Sequence, residues 1–142
     1  MIIDYKKILK KNLENVLYDI LLLVKKKGLN NNHHLYITFD TNDNNVVMSE
    51  WLRNKHNEKM TIIIQYEYWN LQVKKDQFSI MLSFDDIKEN IVVPFNSIIS
   101  FVDPSTNFGL KIKGDKINIT KQNKKSRTKK SKIIQLKNYK KN

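Results

Sequence analysis

Residues 78–84, Phe78-Ser79-Ile80-Met81-Leu82-Ser83-Phe84, decide the fold class. Successive side chains of an extended chain point to opposite sides, so Phe78, Ile80, Leu82 and Phe84 share one apolar face, with Ser79, Met81 and Ser83 opposite. This is the pattern of a half-buried strand. Outward from it, residues 35–40, 60–69, 91–94, 98–102 and 108–113 are further short runs rich in β-branched and aromatic residues. Turn-forming stretches separate them: Asn42-Asp43-Asn44-Asn45, Lys74-Lys75-Asp76, Asp85-Asp86 and Asp103-Pro104-Ser105. Residues 49–59 suit a short helical turn that packs Trp51 and Leu52.

Before these strands comes one helix, predicted over 4–27 and stopped by Gly28. Leu9, Leu13, Val16, Leu17, Ile20, Leu21 and Val24 recur at three-and-four spacing and make one stripe. Tyr5, Ile8, Tyr18, Leu22 and Leu23 widen it beyond what one sheet face needs, which suits either scattered surface groups or a helix that also serves a dimer. Several short strands after a single helix, with no helices alternating between them, predict an antiparallel arrangement. The expected fold is α+β: an N-terminal helix packed on a small antiparallel β-barrel or sandwich, followed by a disordered basic tail.

The chain has 142 residues, a formal net charge of +12 and no cysteine. That is one domain with a core, and neither a disulfide scaffold nor a thiolate metal site. Its longest apolar run, residues 20–24, is far short of the roughly 20 residues a bilayer span needs, so a soluble cytoplasmic protein is expected. The charge is lopsided. Residues 1–110 hold 12 Lys and Arg53 against 13 acids, a net of zero, whereas residues 111–142 hold 12 Lys and Arg127 against Asp115. Within that tail, residues 121–132 carry seven positive charges and no apolar group, a composition that cannot offset chain entropy by burial. The last ten residues then regain Ile133, Ile134, Leu136 and Tyr139. Apolar groups beyond a linker have no core of their own to join, so they are expected to dock on another surface.

No catalytic set is recognisable. His33 and His34 are adjacent and would point to opposite sides of an extended segment, which argues against a shared metal ion. Asp85 and Asp86 have no histidine or base placed to tune them, and the three glycines form no phosphate-cradling loop. Tyr66, Tyr68 and Trp69 could stack on bases, but Glu67 sits among them in a neutral body, so core packing or one wall of a peptide groove is the better reading. A protein that is not an enzyme, with no cofactor and no metal, is expected.

The succession LYITFDT (35–41), MTIIIQYEYWNLQV (60–73), FSIMLSF (78–84), IVVPFNSIISFVDPS (91–105) and NFGLKI (107–112) resembles the SspB family, in particular the alphaproteobacterial branch of these bacterial ClpXP adaptors. The terminal IIQLKNYKK (133–141) is similar to the short motif by which such adaptors hold the N-terminal domain of the ClpX unfoldase. The resemblance implies a helix used for homodimerisation, a compact β body with a groove for the ssrA degradation tag, and a mobile tail that tethers tagged cargo to the protease. It divides the chain into a peptide-binding and dimerisation domain (1–113), a flexible basic linker (114–132) and a ClpX-docking tail (133–142). By pattern, the groove falls around Val46, Val47, Leu82, Phe84 and Val92, and the docking residues are Ile133, Ile134 and Leu136. The sequence departs from the family at two turns, where Asn42–Asn45 and Asp85-Asp86 replace glycine-containing ones. The rival reading is a small barrel that binds RNA or the ribosome through its basic tail, which in either case allows weak non-specific nucleic-acid binding. Neutralising the seven charges of 121–132 at constant length separates the two. An adaptor keeps delivering cargo to ClpXP in a degradation assay, whereas an RNA binder loses affinity and its salt dependence.

Overall fold

Each long amphipathic segment has buried the face its period marks out, and that places the elements of the computed structural model, which describes residues 1–30 and 32–112 and the backbone of 118–121 and 133–135. The helix α1 runs Tyr5–Lys27. Asp4 caps it by accepting the Lys7 amide at 3.1 Å. Gly28, at φ 74°, ends it with its amide on the Val24 carbonyl. Leu13, Leu17, Leu21 and Val24 are its buried residues, a stripe repeating every three to four positions.

The strands are β1 (Leu35–Asp40), β2 (Lys59–Ile64), β3 (Trp69–Val73), β4 (Gln77–Phe84), β5 (Ile87–Pro94), β6 (Ile98–Asp103), β7 (Phe108–Lys111), β8 (Asn118–Lys121) and β9 (Ile133–Gln135), with the short helix α2 (Glu50–Lys55) between β1 and β2. They form a six-stranded sheet in the order β2-β1-β6-β7-β8-β9 and a three-stranded sheet β3-β4-β5, every pairing antiparallel. The inward residues Ile37, Phe39, Ile62 and Ile64 of the large sheet join Phe78, Ile80, Ile91 and Val93 of the small one and the α1 stripe in one core. The expected α+β architecture is therefore present. Among the described residues its sheets are open, and an isolated bridge, Val47 with Val92, adds to the outer edge of β5.

Two expectations are corrected. Residues 60–69, read as one strand, break after Ile64, and the chain crosses from the large sheet to the small one through residues 65–68. Asn118–Lys121, inside the stretch read as a linker, is a strand on β7, with Leu110 opposite Ile119. The rest of the expected linker lies outside the described residues.

The β4–β5 hairpin turns on Asp85 and Asp86 alone, since Phe84 pairs with Ile87. Both aspartates have positive φ, 54° and 66°, as a two-residue turn between right-twisted strands requires. Side chains carrying a Cβ are strained there, and Asp-Gly or Asn-Gly suits the turn better. Asp86→Gly should stabilise the fold by about 0.5–1 kcal/mol, read as a higher urea midpoint with an unchanged m-value.

A cleft between two open strand edges

β2 is hydrogen-bonded to β1 on one side only, so its other edge is open among the described residues. β3 begins at Trp69, opposite Met81, so it stops short of the end of β4. Leu82, Ser83 and Phe84 consequently lack a strand on the β3 side among the described residues. These two open edges line one cleft of about 390 Å³: Thr61, Ile62 and Ile63 from β2, Leu82, Ser83 and Phe84 from β4, and Gln65, Tyr66 and Glu67 from the connection between sheets. Consecutive residues of a strand point to opposite faces, so three in a row can border one cleft only along the strand's edge. The cleft thus runs along the outer edge of β2 and the end of β4, bordered by Ile63 and Phe84, with Glu67 as its one charged lining residue among the described residues.

On the far side of the small sheet the edge is closed. Val47 and Val92 exchange backbone hydrogen bonds of 3.0 and 2.9 Å. Trp51 Nε1 then donates to Glu89 Oε2 at 2.8 Å, and Lys55 reaches Asp85 at 3.1 Å. Residues 47–55 thereby run antiparallel to β5 and cover it. Arg53 holds this segment: its guanidinium donates to the Thr41 carbonyl and, at 2.5 Å, to the Val46 carbonyl. Thr41 is fixed in turn by its amide on the Glu58 carbonyl and its hydroxyl on the His56 carbonyl.

The five expected groove residues therefore divide. Leu82 and Phe84 line the cleft. Val46 is core, 1% exposed, and Val47 is 56% exposed and paired with Val92 on the closed edge. Ile62, Ile63 and Tyr66, which were not among the five, also line this cleft; the β-branched run of residues 61–64, broken by polar Gln65, was the available signal. Of the aromatic group, Tyr66 borders the cleft, Tyr68 packs against the core, and Trp69 lies under the Lys88 ammonium at 4.2 Å. Among the docking residues, Ile133 and Ile134 belong to β9, and Leu136 lies outside the described residues.

The family model for stringent starvation protein B, SspB, matches residues 7–141. The chain belongs to the SspB family. A search of the curated proteins found no match. SspB proteins serve in general as adaptors of the ClpXP protease and are not known as an enzyme family. Among the described residues no helix is long and apolar enough to cross a membrane. An SspB body of this build depends on the Arg53 fork, which one ammonium cannot reproduce across two separated carbonyls. Arg53→Lys should cost about 1–3 kcal/mol in denaturant unfolding.

Proposed function

We propose that this SspB protein binds ssrA-tagged polypeptides in the cleft between β2 and β4 and tethers them to ClpXP. The observation that carries this reading is the pair of open strand edges facing one apolar cleft. An extended peptide laid there can pair its backbone with the β2 edge, in the manner of strand addition, while Ile63, Leu82 and Phe84 receive its side chains. A tag rich in small residues presents mainly backbone, so such a site suits it. Val46, Val47 and Val92, first placed in the groove by pattern, support its wall at a distance from the cleft.

Ile133, Ile134 and Leu136 are proposed to dock on the N-terminal domain of ClpX. The basic segment between β8 and β9 acts as a tether once β9 leaves β8: a flexible chain of 11 residues (122–132) would span a root-mean-square distance of roughly 18 Å and give an effective concentration on the order of millimolar. We also infer a homodimer through α1, supported by a second stripe of exposed apolar residues, Tyr5, Ile8, Val16 and Leu23, away from the core-facing stripe. Two tails then engage one ClpX hexamer by avidity.

Fluorescence anisotropy with a tag peptide tests the cargo site. Saturable binding is expected, and Ile63→Glu should weaken it roughly tenfold or more while leaving the unfolding midpoint nearly unchanged, since Ile63 is exposed. No binding at tens of micromolar, or an unaffected variant, would reject the assignment. Removing residues 133–142 should leave peptide affinity intact and abolish enhanced degradation of tagged substrate; undiminished delivery would reject the tether.

A further inference from the structure

At the C-terminal end of α1 lies a cavity of about 530 Å³, separate from the peptide cleft. Leu23, Leu29, Phe101 and Phe108 are among its apolar walls, and His33 and Asp103 form a polar corner. That corner is rigid: His33 Nε2 meets Asp103 Oδ2 at 3.2 Å, and Asp103 Oδ1 accepts the Ser105 amide and hydroxyl. At the opposite end of α1, Met1, Ile2 and Ile3 are apolar and exposed, Ile2 at 93%. An empty apolar socket and an uncovered apolar arm thus stand at the two ends of one helix.

The exposed stripe on α1 links them. Leu23 is both its last member and a wall of the cavity, so stripe and socket are one continuous surface. The stripe alone is a poor interface. Asn12 and Asp19, each one turn from stripe residues, are exposed within it, and its four apolar side chains are few against the roughly 800 Å² per partner of a standard interface.

Resting on the dimer reading above, we propose that two copies pair their α1 helices antiparallel and that residues 1–3 of each fill the cavity at the end of α1 in the other. Antiparallel pairing about Glu14, the midpoint of the exposed stripe, sets Tyr5 against Leu23 of the second copy and Ile8 against its Ile20. The same register carries Ile2 and Ile3 past Lys25 to Gly28 and Leu29, which border the socket. A parallel pair would instead leave both sockets empty and set Lys25, Lys26 and Lys27 of the two copies side by side. The antiparallel pair separates these clusters by the helix length and aligns opposite ends of the two macrodipoles.

The cysteine-free chain makes the test clean. Residues 3 and 30 of one copy are separated by α1, 23 residues and about 35 Å long, so a disulfide between them can form only across copies. Mild oxidation of the full-length Ile3→Cys/Asn30→Cys variant should give a covalent dimer on a non-reducing gel, and neither single variant should. Cross-linking of Ile3→Cys alone would show a parallel pair and overturn the proposal. A dimer by light scattering with no cross-link in the double variant overturns the arm-in-socket contact while the dimer reading stands. A monomer by light scattering overturns both. Ile2→Ser/Ile3→Ser provides a second measurement: the dimer dissociation constant should rise roughly tenfold or more, and an unchanged constant would also overturn the proposal.

Discussion

Two open sheets, each apolar on one face, can be stable only if those faces cover one another, and everything else in this protein follows from how their margins are finished. The chain spends α1 on one flank, where Leu17 and Leu21 are fully buried, and residues 47–55 on the β5 edge. It leaves the β2 edge and the last residues of β4 unfinished. In a barrel this margin would be closed by a strand. Here it forms the cleft, so the proposed peptide site is a consequence of incomplete closure and not an addition to a finished fold. Arg53 matters for the same reason: by holding two backbone carbonyls it keeps the opposite edge shut, and the opening is confined to one side.

Much of this architecture was legible in the chain because the relevant periods are strong. The α1 stripe, the alternation in residues 78–84 and the Asp85-Asp86 turn each have a local physical cause, and the structure follows it in all three, except that Val16, counted in the α1 stripe, is exposed on the other side of the helix. Residues 60–69 were harder. Their nearly unbroken β-branched and aromatic character hides a crossing between sheets, since Gln65 and Glu67 are the only polar interruptions and neither is a turn former. The cleft depends on that crossing and on how far β3 extends along β4. Register of this kind is a tertiary property, which explains why the family pattern pointed to Leu82 and Phe84, which border the cleft, but not to Ile62 and Ile63. Val46 and Val47 show the limit most directly, for adjacent valines with the same propensity occupy core and surface. Asn118–Lys121 was masked by its lysine-rich neighbours, although the Ile117-Asn118-Ile119 alternation was present.

The charge of the whole chain, +12, belongs to its last 32 residues, and the body that forms the cleft is neutral. A neutral body reads a peptide through shape and backbone, with little long-range preference among polyanions. Family membership and this division agree: an adaptor requires one surface that holds cargo and another that holds the protease, with a connection long enough for both to act together.

The open edge of β2 also bears on solubility. Unpaired strand edges invite pairing with other chains, and natural sheets commonly guard them with charge. Here Lys59 begins the strand and Glu67 lies just past it, while the exposed middle is Thr61 and Ile63. A bound peptide would cover that edge as a temporary strand. On the proposed function, the unloaded protein is the form most exposed to self-association.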